Sequence, residues 1–249
     1  MRKILCYDGS YEGFICLIDV LISNYKNTLD AVEIINLLIE KEQNYIFYDK
    51  IETSKVKSEV FISKLKNLLP GKFVNDLYLY HLCDTLKLEK IVASVIIKYP
   101  LNKNILNQIT NKEVCVLWKA KRSLFREIHR YKGILRFSKL DEIYYAQFKP
   151  KFNVLPILSK HFFSRYNNMN FIIYDLLRGI AFFNINNKGK FLYLDRNLDL
   201  KIKSDFIDKL WKIYFEKSAV DERISMERQK IKLPLYVREF LTEFKDCND

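Results

Sequence analysis

The chain has 249 residues, 49% of them hydrophobic and 14% aromatic, with 42 Lys or Arg against 30 Asp or Glu for a net charge of +12. That apolar content supplies a packed core and excludes a disordered tail. The five cysteines, Cys6, Cys16, Cys83, Cys115 and Cys247, are odd in number and widely separated; this excludes a zinc or iron–sulfur ligand set, so they read as reduced thiols and no metal or cofactor is expected.

Lys3 to Tyr7 is a short apolar run that reads as a strand, too short for a signal peptide or a membrane span; a cytoplasmic protein without membrane contact is expected. Asp8, Gly9 and Ser10 follow as turn and N-cap types. Phe14, Leu17, Ile18, Leu21 and Ile22 then recur at three- and four-residue spacing, which predicts a helix with one buried face. Asp8 or Ser10 caps it; an anion at the helix start would be opposed by Asp8 and Glu12, and no GxxxxGK[ST] loop is present. Asp30–Ile39 and Val56–Leu69 read as helices on either side of a strand-like YIFYD, and Pro70-Gly71 stops the second. Leu77–Ile97 reads as a helix ended by Tyr99-Pro100. Within it, His81 lies among apolar neighbours and is expected to be packed rather than to bind a metal.

The best-patterned helix covers Glu113–Lys132. At 100° per residue Ala120, Leu124, Ile128 and Tyr131 share one side, and Lys119, Arg122, Arg126, His129 and Arg130 fill an arc on the other. Trp118 and Phe125 flank that arc, where base stacking and core packing are both open and core packing is expected. Gly133 is expected to cap the helix. Two strands follow, Ile134–Lys139 and Ile143–Lys149, joined at Leu140-Asp141-Glu142; Asn153 caps a helix through Tyr166 with Pro156 in its first turn. Asn170–Asp175 and Ile180–Ile185 read as strands, and Asn186 to Gly189 as a hairpin turn into Phe191–Leu194. An aromatic helix is expected after Ser204. The fold class is α+β: a helical N-terminal region over 1–83, and an α+β domain over 84–249 with a small, largely antiparallel sheet packed with helices.

Charge is distributed unevenly. From Lys119 to Lys190 there are 15 Lys or Arg against 4 Asp or Glu, so this window holds nearly the whole excess of the chain. Charge confined to one region points to an anionic partner more than a high pI does; a solvated Lys-rich surface is the alternative. The residues placed to contact nucleic-acid phosphates are Lys119, Arg122, Arg126, Arg130, Arg136, Arg165 and Arg178.

The motifs YDGSYEGF (Tyr7 to Phe14), EIHRYKGILRF (Glu127 to Phe137), YYAQFKPKFNVLP (Tyr144 to Pro156), HFFSRY (His161 to Tyr166), DLLRG (Asp175 to Gly179), LWKIYF (Leu210 to Phe215) and ER with a later RQ (Glu222 to Gln229) occur in the order of a known family. The chain resembles bacterial proteins labelled as acting in DNA metabolism or DNA repair, whose C-terminal part is a domain of unknown function. At the C-terminus the family has Asn-Pro where this chain has Ile224-Ser225. The resemblance implies a cytosolic bacterial protein working alongside a radical S-adenosylmethionine protein with a DNA-modifying or DNA-repairing label; similar domains also occur joined to a uracil-DNA-glycosylase-like domain. Three functions follow from residues and resemblance together. The first is a DNA-binding accessory protein. The second is an enzyme acting on a damaged base or a nucleic-acid backbone, for which Asp8, Glu12, Glu127, His129, His161 and Asp175 are the acid/base candidates; the structural alternative, placed ahead of it, makes Asp175 with Arg178 a buried ion pair and Glu127 with Arg130 or Tyr131 a helix-surface pair. The third is a module that docks the radical protein without touching nucleic acid.

Overall fold

Strand β1, Lys3–Tyr7, is the middle of a three-stranded parallel sheet of order β2-β1-β3 in the computed structural model, which describes residues 3–40, 48–140 and 142–193. β2 is Val32–Asn36 and β3 is Asp49–Lys50. Parallel neighbours cannot be joined by a tight hairpin, so the chain crosses from β1 to β2 through helix α1, Tyr11–Asn24. Ser10 caps that helix, its Oγ accepting the Gly13 N–H at 2.9 Å. Gly9 makes the preceding turn at φ +79°, and a Cβ there would collide with Leu38 and Asn36, so the turn needs glycine.

The stretch 30–39 is not the expected helix. It is a short 3-10 turn, Leu29–Ala31, followed by β2. Val32, Ile34 and Ile35 are buried, and the β-branched run gains a full ladder beside β1, which outweighs its helical spacing. The strand expected over YIFYD falls largely outside the described residues, and β3 begins at its end.

Helix α2, Lys55–Leu68, matches expectation, with Ser54 as its N-cap. The single helix expected over Leu77–Ile97 is two. α3 starts at Gly71, directly after Pro70, and runs to Leu82; α4 is Glu89–Lys98. Between them lie a 3-10 turn, Asp84–Leu86, and a left-handed Lys87 at φ +49°. In one unbroken helix Leu82 and Leu88 would point about 120° apart. The break lets both be buried.

Helix α5 is Lys112–Ile134, one residue beyond the expected stop at Gly133. The chain gathers into two compact units, Met1–Glu127 with Lys151–Asn153, and Ile128–Pro150 with the chain from Val154 on. α5 begins in the first and ends in the second.

The second unit has the antiparallel-rich sheet that the sequence predicts. Its order is β4-β5-β6-β7-β8, from Ser138–Leu140, Ile143–Phe148, Phe171–Asp175, Ile180–Ile185 and Lys188–Tyr193. Only β5 and β6 run parallel, and helix α6, Leu155–Arg165, connects them. α6 carries Pro156 in its first turn as expected, but Val154 rather than Asn153 occupies the cap position and no side chain caps it. Ile172, Tyr174, Ala181 and Phe183 pack into one cluster, while Phe171 and Phe182 alternate onto the other face, where Phe137 joins Phe162 and Phe171 edge to face. Asn186 and Asn187 both hold positive φ, the conformation of a two-residue hairpin turn with the right twist for β7 and β8. The expected aromatic helix after Ser204 and the Glu222 to Gln229 motif lie outside the described residues.

A polar chain crosses the first unit's core. Asn36 Nδ2 donates to the Tyr7 hydroxyl at 2.9 Å, and that hydroxyl donates to Glu89 Oε1 at 3.0 Å. Burial pushes the Glu89 carboxyl above its ordinary range, against hydrogen bonds from the backbone and Tyr7 that pull it down. A carboxyl with a raised native pKa stabilises below the ordinary Glu value of about 4.3, and that contribution is lost as pH rises through the native value. Glu89→Gln keeps the shape without the charge. Urea midpoints should therefore show wild type losing stability relative to Glu89→Gln as pH rises above the ordinary Glu value of about 4.3; a difference constant with pH would rule out a raised Glu89.

Candidate nucleic-acid interface

Asn111 starts α5, its Oδ1 accepting the Glu113 and Val114 N–H groups at 3.0 and 3.1 Å. Leu117, Ala120, Leu124, Ile128 and Tyr131 are all buried, which turns Lys119, Arg122, Arg126, His129 and Arg130 outward along the opposite edge. Trp118 and Phe125 are not core residues: 51% and 46% of their surface is exposed. They stand about 100–120° round the helix from the buried stripe, too far to join it. The Arg122 guanidinium lies over the Trp118 ring, 5.3 Å from its centroid.

Those two rings open onto a cleft of about 510 Å³ within the first unit. Its apolar lining includes Phe73 and Tyr80 of α3, with ring centroids 5.9 Å apart, and Val114 and Leu117 of α5. Lys72 and Arg122 are its exposed cations. Lys121 also lines it but is held by Asp76, with Nζ 2.6 Å from each carboxylate oxygen. Sequence reasoning missed the α3 side of this cleft because it started that helix six residues late. Phe73, Leu77 and Tyr80, at helical spacing directly after Pro70-Gly71, are the signal that would have found it.

The other expected cations differ in availability. Arg165 is exposed and lies over the Tyr166 ring at 5.5 Å. Arg136 is half-buried and donates from Nη1 to the Gly133 carbonyl at 2.9 Å, bracing the end of α5. Arg178 is internal. Its side chain has no exposed surface, pairs with Asp175 at 3.0 Å and donates to the Pro150 carbonyl at 3.3 Å, so it has no face to offer a phosphate.

The acid/base candidates do not form one set. In the first unit, Asp8 and Glu12 both lie at the start of α1, where Asp8 Oδ1 accepts the Ser10 N–H at 2.9 Å and the Ser10 hydroxyl at 2.7 Å. Glu127, elsewhere in that unit, accepts the Lys151 and Phe152 N–H groups on its two oxygens at 2.9 Å each, clamping Lys151–Asn153 to α5. The second unit holds the other three. His129 is exposed on α5, and His161 on α6 is lowered from its ordinary pKa by burial and by the Lys132 and Arg165 cations. Asp175 is fully buried and accepts the Leu177 and Arg178 N–H groups; burial raises it to about 6 even though Arg178 opposes the shift. His81 is packed, as expected, against the rings of Tyr11 and Phe14 at 5.7 and 5.6 Å. Among the described residues no three His, Cys, Asp or Glu gather as metal ligands, and no helix is long and apolar enough to cross a membrane.

The model of the family described as "Domain of unknown function (DUF4130)" matches residues 86–243. The chain belongs to this family. The DUF4130 stretch takes in α4, the whole of α5 and every described element of the second unit, and it contains all seven expected phosphate contacts. It starts after α3, so the Phe73 side of the cleft precedes it. No curated protein matches the chain.

Within the DUF4130 stretch the Asp175–Arg178 pair is read here as structural, and that is measurable. Asp175→Ala leaves a buried guanidinium without its counter-charge and should lower stability by about 3–5 kcal/mol. Chemical denaturation followed by near-ultraviolet circular dichroism reports it; a loss below about 1 kcal/mol, the range of exposed pairs, would show the pair to be peripheral.

Proposed function

We propose that this protein is a DNA-binding accessory factor of the bacterial cytosol, working beside a radical S-adenosylmethionine protein that modifies or repairs DNA. The observation that carries the DNA-binding part is the outward edge of α5. Arg122, Arg126 and Arg130 recur every four residues, about 6 Å apart along the helix axis, and Lys119 extends the same exposed edge. Such a row matches a phosphate backbone and gives affinity without reading base sequence. Exposed Arg165 adds a cation in the second unit. The radical partner and the cytosolic setting rest on the motif resemblance. The enzymatic reading gains less support, because Glu127 is engaged by two backbone amides and Asp175 by an internal arginine.

Fluorescence anisotropy with labelled DNA across a salt series tests this reading. With three or four phosphates neutralised, the logarithm of the affinity should fall with the logarithm of salt at a slope of about −3. Replacing Arg126 and Arg130 together by Glu should flatten that slope by about 2 and weaken every sequence alike. Binding that does not change with salt would overturn the proposal.

A further inference from the structure

We infer that the cleft between α3 and α5 holds an unpaired nucleotide, its base stacked against Trp118 and Phe125 and its phosphates met by Lys72 and Arg122, so that the protein takes single-stranded DNA in preference to duplex. The inference rests on the DNA-binding reading and adds a strand type and a base site to it.

Three observations lead to it. Trp118 and Phe125 are large apolar rings left about half exposed on a helix whose Leu117, Leu124, Ile128 and Tyr131 are buried, and both line the same concavity. The concavity, at about 510 Å³, falls within the range of sites that enclose small organic ligands, and its deeper wall is aromatic and aliphatic. The charge is of one sign once pairs are removed: Asp76 and Lys121 neutralise each other, leaving Lys72 and Arg122. An aromatic floor with a cationic rim suits a flat, π-faced ligand that carries negative charge. A base in a duplex already has its faces covered by its neighbours, whereas an unpaired base has a free face to give, and base–aromatic stacking tolerates any sequence. Arg122 serves both halves of the site, since its guanidinium lies over the Trp118 ring and stays exposed beside the space a phosphate would occupy.

The chain has two tryptophans, Trp118 and Trp211, so Trp211→Phe leaves Trp118 as a single reporter. This full-length variant is titrated at low salt with an oligothymidylate, an abasic oligonucleotide of equal length and a duplex, following both tryptophan emission and anisotropy of a labelled strand. Oligothymidylate should quench Trp118 and bind about tenfold more tightly than the abasic strand or the duplex, the effect of stacking one base. Trp118→Ala and Phe125→Ala should each lower oligothymidylate affinity towards that of the abasic strand. If all three ligands bind equally without quenching, the base site is wrong and the DNA-binding reading stands. If none binds, both fall. Should Trp211→Phe fold poorly, the quench is read as the difference between wild type and Trp118→Phe, and an equal quench in both overturns the inference.

Discussion

Helix α5 has to bury Leu117, Ala120, Leu124, Ile128 and Tyr131 along one stripe, and the disposition of the rest of its surface follows from that requirement. Each of these side chains, fully removed from water, contributes on the order of 1.5–3 kcal/mol for the larger members, far more than a solvated charge gains from any particular orientation. The helix cannot rotate to satisfy its cations; the cations go where the stripe leaves them. With 100° between successive residues, Lys119, Arg122, Arg126 and Arg130 are driven onto one edge, and Trp118 and Phe125 onto its flank. A cationic row beside exposed aromatic rings is thus a geometric consequence of core packing in this sequence. What packing does not require is that those flanking positions be aromatic, and the proposed binding role rests on that choice.

The first unit shows a second case of polar groups arranged around apolar demands. β1 and β2 supply the buried Tyr7 and Asn36, and α4 supplies the buried Glu89. Three polar side chains in an interior are tolerable only so far as they satisfy one another, and the Asn36 to Tyr7 to Glu89 chain does so in part, with bonds of 2.9 and 3.0 Å that leave Glu89 Oε2 buried without a hydrogen-bond partner. Asn36 also closes the turn that follows β2, its Oδ1 accepting the Leu38 N–H at 2.9 Å. The network ties the strand ends to α4, holding elements that are far apart in sequence.

Periodicity read best where burial is one-sided. α1, α2 and α5 were legible because their apolar residues repeat at 3.6, and strands β5 to β8 because they are β-branched and aromatic runs bounded by turn residues, β5 to β7 being buried on both faces. β2 was not: VEIIN has too few residues for a period to show, and its parallel partner β1 lies more than twenty residues earlier in the chain. The helical stretch from Gly71 to Lys98 was read with the wrong start and without its break, because a left-handed lysine at position 87 carries no sequence signal of the kind a glycine would. At the candidate site the outward edge of α5 could be read directly, since exposure is the complement of the stripe. The cleft could not, because it needs α3 to meet α5, a contact between separate helices. Arg178 was misplaced for a related reason. Its charge suggests surface and its spacing from Asp175 suggests a buried pair, and the fold decides for the pair.

That internal pairing changes how the charge of the basic window should be counted. Asp175 and Arg178 cancel inside the second unit's core, so neither adds to the outer field. Glu127, the acid nearest the α5 cations in sequence, turns both oxygens to backbone amides of Lys151 and Phe152. Among the described residues no acid of this window pairs with Lys119, Arg122 or Arg126, whereas Lys98 and Lys121 are matched by Glu113 and Asp76. Among the described residues, then, α5 has ion pairs where Glu113 and Lys121 meet α4 and α3, and none at Lys119, Arg122 or Arg126. A row of like charges kept close together repels itself, by several tenths of a kcal/mol for each i, i+4 neighbour in water. An anionic ligand laid along the edge, as proposed, would relieve that repulsion, and release of the ligand's counterions would make such binding steeply dependent on salt.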